Sequence, residues 1–213
     1  MKPLLNVAQA LRGKRLLILD FDGTVADTTP LHATAFSAVL KPLGVAVDYP
    51  SIAGMKTPDA MHHCLARAGR TLAEAEITAL VTAKQQRVRQ MIVQSLQPLR
   101  GVDEFLRWAS QRYRLAMVTS GSRGTVNLAL EKLGLTGKFD PLICANDVAC
   151  GKPDPEGFLK VLQLTGLPAA EALVFEDSEA GFLAASAANL PHVDVRGLNW
   201  LRALNDMEQS HGY

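Results

Sequence analysis

Cysteine is scarce in this 213-residue chain: Cys64, Cys144 and Cys150 are the only three, a number too small and too odd for a disulfide framework, at spacings that fit no metal-ligand pattern. A reduced, cytoplasmic setting is the expectation that follows. Long apolar runs are also missing. None approaches the ~20 residues needed to cross a bilayer, so no membrane partner is expected. Charge of one sign is missing too, with 22 Lys and Arg against 21 Asp and Glu, a net +1. Aromatics make up 6% and are not interleaved with any basic stripe, which argues against nucleic acid as the main partner. There is no internal repeat or low-complexity tract. The opening stretch MKPLLNVAQALRGK lacks the sustained hydrophobic region and small-residue cleavage site of a signal peptide. Its weak apolar face of Leu4, Leu5, Val7, Ala8 and Leu11 predicts a short helix on the edge of the core.

What is there suits a globular enzyme: 48% hydrophobic and 20% charged residues. Short apolar runs recur, each followed by turn residues and a segment of helical period. They are Arg15–Asp20 (RLLILD), Arg114–Thr119, Pro141–Ala145, Ala172–Glu176 and His192–Val195. Runs this short and continuous suit parallel strands covered on both faces. Thr125–Leu133 and Glu156–Leu164 carry apolar residues at three- and four-residue intervals, as amphipathic helices do. The expected fold class is α/β, a Rossmann-like parallel sheet. Trp200–Tyr213 reads as a terminal helix with a polar end.

One interval breaks the alternation. From about Asp27 to Leu96 no strand-like run appears, and the segment reads as helices separated by Gly44, Gly54 and Gly69. Roughly seventy residues is too long for a plain crossover. Residues 27–96 are therefore expected to form an inserted helical cap, hinged near Val25–Pro30 and Ser95–Gly101, with residues 1–26 and 97–213 as the α/β core.

Ligands of open α/β sheets bind beyond the carboxyl ends of the strands. Those ends carry Asp20-Phe21-Asp22-Gly23-Thr24, Thr119-Ser120-Gly121-Ser122, Gly151-Lys152-Pro153 and Glu176-Asp177-Ser178. Each has a plain structural reading: a turn for DFDG, a helix N-cap for Thr-Ser-Gly-Ser, a solvated turn for GKPDP. All four together, in order, would be four coincidences. DFDGT, TSGS, GKPDP and EDSEAG at this spacing resemble the four motifs of the haloacid dehalogenase superfamily. The resemblance covers nearly the whole chain, because an insertion after the first motif also fits, and its subgroup is similar to the β-phosphoglucomutase-like sugar phosphatases.

The resemblance implies roles. Asp20 would be the nucleophile that forms an aspartyl-phosphate, and Asp22 the general acid and base, its main-chain carbonyl also ligating the metal. Thr24, Thr119, Ser120 and Gly121 would hold the loop and the phosphoryl oxygens. Lys152 would balance the charge of nucleophile and phosphate. Glu176 and Asp177 would join Asp20 and Asp22 in an all-oxygen Mg²⁺ shell. Asp22 favours phosphate esters, since dehalogenases and phosphonatases lack an Asp there. His32, Lys56 and Lys84 would be polar cap groups facing the substrate.

In β-phosphoglucomutase relatives an Arg follows the cap glycine; Gly54-Met55-Lys56-Thr57-Pro58 has none. Lys56 offers only a point charge in its place. The expectation is thus a Mg²⁺-dependent phosphatase acting on a small phosphorylated sugar or polyol, as a monomer or weak homodimer. The alternatives are a mutase of the β-phosphoglucomutase type, or a silent binding module that would have lost a core acid or the lysine. The adjacent His62 and His63 are expected at the surface. Cys144 is expected to pack in a strand, and Cys150 has no support as a nucleophile.

Overall fold

The computed structural model describes residues 7–210. The elements run α1 (Val7–Ala10), β1 (Leu16–Leu19), α2 (Thr29–Leu40), α3 (Thr57–Arg67), α4 (Glu74–Ser95), α5 (Val102–Ala109), β2 (Arg114–Val118), α6 (Arg123–Lys132), β3 (Leu142–Ile143), α7 (Glu156–Thr165), β4 (Ala172–Glu176), α8 (Glu179–Ala187), β5 (His192–Asp194) and α9 (Trp200–Ser210). The strands form one parallel sheet in the order β3-β2-β1-β4-β5. β1 is central, and Leu19 pairs with Met117 on one side and Phe175 on the other.

Both faces of the sheet are covered, as the continuous apolar runs require. Side chains alternate between faces. Leu17, Leu19, Leu115, Met117, Leu173 and Phe175 point into one cluster with α1, α5, α6 and α9. Leu16, Ile18, Ala116, Val118, Ala172 and Val174 point into the other, against α7 and α8. In the first, Phe105 packs on Phe175 and Trp200, with ring centroids 5.3 and 4.7 Å away.

β4 spans its whole apolar run, whereas the other four strands are shorter than theirs. The third stops at Ile143, and Cys144, expected within it, instead precedes a single 3₁₀ turn, Ala145–Asp147. The Asp147 carboxylate captures the Cys144 N–H at 2.7 Å and ends the ladder there. Val7, Ala8 and Leu11 are buried at the core edge as expected, whereas Leu4 and Leu5 lie outside the described residues, as do residues 211–213 of the expected tail helix.

Between β1 and β2 the described residues form helices with no further strand, and these helices enclose a cluster of their own: Phe36, Val39, Leu40, Ile52, Met61, Leu65 and Ile77 among others. α4 belongs to both bodies. Ile77 packs in the helical insertion, while Val88 and Ile92, further along the same face, pack in the core with Val126 and Leu96. The two connections run side by side, Asp27 N–H donating to Gln97 O at 3.3 Å and Leu99 N–H to Val25 O at 3.1 Å. No helix of the described residues is long and apolar enough to cross a membrane.

Candidate active site

β1 is wholly buried up to Leu19, and one further ladder bond, from Asp20 N–H to Phe175 O at 3.0 Å, carries the chain past the sheet edge. Asp20 therefore leaves the strand in a fixed direction while still buried. Lys152 arrives from the loop before α7, and its ammonium lies 2.6 Å from Asp20 Oδ1 and 2.7 Å from Glu176 Oε2. All three side chains are almost fully enclosed. Burial works against the Lys152 charge, but Asp20 and Glu176 outweigh it and hold the amine protonated well above the usual lysine range.

Asp177 comes close because Gly23 has no side chain. Gly23 adopts φ +81°, and a Cβ there would fall 2.2 Å from Asp177 Oδ2. Carboxylate oxygens of Asp20, Glu176 and Asp177 lie within 4.8 Å of one another. Burial first, and Glu176 next, push Asp20 well above the ordinary carboxylate range and Asp177 up to about 7. Three acids share one lysine, so the cluster is short of positive charge. An all-oxygen, anionic donor set of this kind fits a hard divalent cation such as Mg²⁺. Glu176 is also structural: its Oε1 accepts from Ser178 Oγ at 2.7 Å and from the Ser178 N–H at 3.1 Å. Gly181 leaves room for it, since a Cβ there would meet Glu176 Oε2 at 2.2 Å.

Asp22 faces the same pocket from above the turn. Thr28 Oγ1 donates to its Oδ1 at 2.5 Å, and His32 Nε2 lies 3.4 Å from the same oxygen. On the far side of the imidazole, Lys84 Nζ is 2.9 Å from His32 Nδ1. Burial lowers His32 to about 4 against the pull of Asp22, and lowers Lys84 to about 8. The ring is therefore neutral. With the ammonium donating to Nδ1, the ring proton is assigned to Nε2, facing Asp22. Lys84 also lies 4.4 Å from the centre of the Phe36 ring.

The pocket is lined by Asp20, Asp22, Asp177, His32, Lys84 and Ser120 together with Tyr49, Thr57 and Phe36. Gly121 lines it as well, and Gly54 closes one wall. Gly54 adopts φ +79°, and a Cβ there would come within 2.3 Å of Ser178 Oγ. Ser120 Oγ donates to Gly54 O at 2.6 Å, so the insertion rests directly on the strand ends.

Three residues expected to touch substrate are placed otherwise. Thr24 is buried behind the pocket and donates to Asp177 Oδ1 at 3.2 Å, so it orients an acid. Thr119 is buried, and its hydroxyl accepts the Gly121 N–H at 3.0 Å. Lys56 lies in a separate cleft, its amine donating to the carbonyls of Val148 at 2.7 Å and Ala149 at 2.9 Å. In each case a nearer polar group takes the side chain. His62 is exposed as expected, whereas His63 is half-buried with Nε2 lacking a hydrogen-bond partner. Sequence reading passed over Thr28, Tyr49, Phe36 and Thr57. Thr28 could have been noticed, since a hydroxyl six residues beyond Asp22 falls at the turn into α2; the other three come together only through the packing of the insertion.

Residues 17–195 match the family model described as haloacid dehalogenase-like hydrolase. The chain is 33% identical over 180 residues to fructose-1-phosphate phosphatase YqaB of Escherichia coli, covering 84% of this chain and 95% of that protein. It is 30% identical over 182 residues to validoxylamine A 7′-phosphate phosphatase of Streptomyces hygroscopicus subsp. limoneus, covering 83% of each. Its fold matches a β-phosphoglucomutase from Clostridium difficile with a TM-score of 0.79, at 21% identity over 92% of this chain and 98% of that one.

Proposed function

The chain belongs to the haloacid dehalogenase-like hydrolases and is a phosphoric monoester hydrolase, and from that premise we propose that it removes the phosphate of a small phosphorylated sugar or polyol through an aspartyl-phosphate on Asp20. The observation that carries this reading is Asp20 itself, a buried carboxylate at the end of the central strand, 2.6 Å from a buried lysine and facing the same pocket as Asp22. Residues 27–96 would serve as the cap and the remainder as the core.

In the first step an Asp20 oxygen attacks phosphorus, and the ester oxygen leaves with the electron pair of its bond. An alkoxide is a poor leaving group, so Asp22 donates a proton to it. In the second step Asp22, now a carboxylate, takes a proton from water, whose oxygen attacks phosphorus and releases Asp20 and inorganic phosphate. Thr28 and His32 aim Asp22 between the two events. Lys152 opposes the upward shift that burial and Glu176 impose on Asp20, and it offsets charge as the phosphoryl group approaches. Asp20, Glu176 and Asp177 would hold Mg²⁺, which when bound supplies the charge neutralisation that lets two anions meet.

The far wall is made of hydroxyls and rings, from Tyr49, Thr57 and Phe36, with His32 neutral. That composition suits the hydroxyl-bearing end of a monophosphate. A second phosphate would need a free cation there; Lys56 is taken by main-chain carbonyls, and Lys84, which lines the pocket, is engaged by His32 and the Thr57 hydroxyl. Released inorganic phosphate, measured with fructose 1-phosphate and a panel of other sugar and polyol monophosphates at saturating Mg²⁺, tests the reading. No phosphate release from any of them would refute it.

A further inference from the structure

Lys56 is the odd charge in this molecule. It follows Gly54 in the loop that closes the pocket, yet its amine points away from the carboxylates. It reaches instead across to residues 148–151, the segment that leads into Lys152. There it donates to two successive carbonyls, of Val148 and Ala149. Its stem lies flat on Gly151, where a Cβ would come 2.6 Å from Lys56 Cγ, 3.0 Å from Cδ and 3.1 Å from Cε. Gly151 is therefore the residue that admits the lysine.

The same short segment is held from its other side. Ala149 and Cys150 donate their N–H groups to Glu156 at 3.1 and 2.8 Å, and Lys160 steadies that carboxylate at 2.7 Å. An anion from the core thus takes the segment's donors, and a cation from the insertion takes its acceptors. Glu156 stays with the core however the insertion moves, because α7 packs on the sheet through Phe158 and Val161. Lys56 moves with the insertion, sharing its loop with the Gly54 carbonyl that receives the Ser120 hydroxyl.

We infer that Lys56 is a positioning residue that couples closure of the cap to the placement of Lys152. When the cap lifts, the carbonyls of Val148 and Ala149 lose their charged donor and are solvated. Residues 148–151 are then held from the core side, through Glu156 on the Ala149 and Cys150 amides and the Asp154 N–H on the Gly151 carbonyl at 3.0 Å. When the cap settles, Lys56 refastens the segment and fixes the approach of the Lys152 side chain to Asp20. Charge-assisted hydrogen bonds are shorter and more directional than neutral ones, which is what such a fastening requires. Closure and charge balance at the nucleophile are then one event, and chemistry is confined to the enclosed, water-poor state.

This inference rests on the reading of Asp20 and Lys152 as phosphoryl-transfer groups, so its test has one arm with activity and one without. The variants are Lys56→Met, which keeps the stem and removes the donor, Lys56→Arg, which can still donate to both carbonyls, and Gly151→Ala, which displaces the stem without touching a charge. With p-nitrophenyl phosphate and saturating Mg²⁺, Lys56→Met should lower kcat by about tenfold or more with KM changed less than about threefold. Gly151→Ala should do the same, and Lys56→Arg should keep at least about a third of the wild-type kcat. In the second arm, hydrogen exchange at the Ala149 and Cys150 amides should be at least about tenfold faster in Lys56→Met than in wild type at equal melting temperature. Unchanged exchange, or a loss confined to KM, which would place Lys56 on the substrate, overturns the inference. A wild-type protein that hydrolyses no phosphate ester would refute the phosphatase reading while the exchange arm still decides the fastening.

Discussion

Lys84 Nζ lies 2.9 Å from Nδ1 of His32, so a buried ammonium and a neutral imidazole meet at the seam between the insertion and the core. Lys84 shares one face of α4 with Ile77 on one side of it and Val88 and Ile92 on the other, and those neighbours pack in the two different clusters. Burial lowers Lys84 to about 8, with Asp22 opposing the shift. The chain Lys84–His32–Asp22 therefore orients the proposed acid only while Lys84 keeps its proton.

The pH profile should show this. Loss of the Lys84 proton weakens the donor to His32, so kcat is expected to fall on an alkaline limb near pH 8. Lys84→Arg cannot lose its charge in that range. If the variant folds and turns over, its limb should move upward by at least a unit; a limb that stays at the same pH would remove Lys84 as its source.

Stability should carry the mark of His32. Its pKa is about 4 in the folded protein against an ordinary 6.5. Between those values the unfolded chain binds the proton and the folded one does not, so stability from this group is complete above about pH 6.5 and lost as pH falls toward 4. The full shift corresponds to at most about 3 kcal/mol. Asp177, raised to about 7, titrates with the opposite sign in an overlapping window. The informative quantity is hence the difference between wild type and His32→Gln in urea melts at pH 4.5 and 7. An equal difference at both pH values would contradict the assignment.

Replacing the acids separates their roles. Asp20→Asn should abolish phosphate release, because an amide cannot form the acyl-phosphate. Asp22→Asn should leave KM near its wild-type value and lower kcat by ~10²–10⁴-fold. Near-normal turnover by Asp20→Asn would rule out the covalent route.

Metal dependence is the expectation for three acids that share one lysine. Excess EDTA should stop turnover and Mg²⁺ should restore it. Mg²⁺ should also raise the melting temperature, since a ligand of the folded state alone stabilises it by mass action. Full activity in excess chelator would eliminate the metal.

Glucose 1-phosphate, with and without glucose 1,6-bisphosphate, separates hydrolysis from phosphoryl relocation. Free phosphate without need of the bisphosphate is the expected product. Bisphosphate-stimulated glucose 6-phosphate without matching free phosphate would favour the mutase, and would require some cation other than the engaged Lys56 to hold the second phosphate.

Much of this protein could be read from residue order alone, and the reason is local. Leu16–Leu19 is apolar on both faces and is followed at once by turn residues, a pattern that suits a covered parallel strand, and Asp20 then emerges at the sheet edge. Lys152, Glu176 and Asp177 follow their own strands or loops to that same edge, so their convergence is a consequence of α/β topology. The fate of Thr24, Thr119 and Lys56 was not legible, because each had two polar claims on it and sequence does not rank them. The Thr24 hydroxyl goes to Asp177, and the Thr119 hydroxyl to the Gly121 amide. Lys56 reaches carbonyls 92 and 93 residues away. Strand direction is decided by patterns of a few residues, which the chain carries in its order. The partner of a long polar side chain is decided by distances between segments that meet only when the helical insertion packs against the core, and only the tertiary structure supplies those.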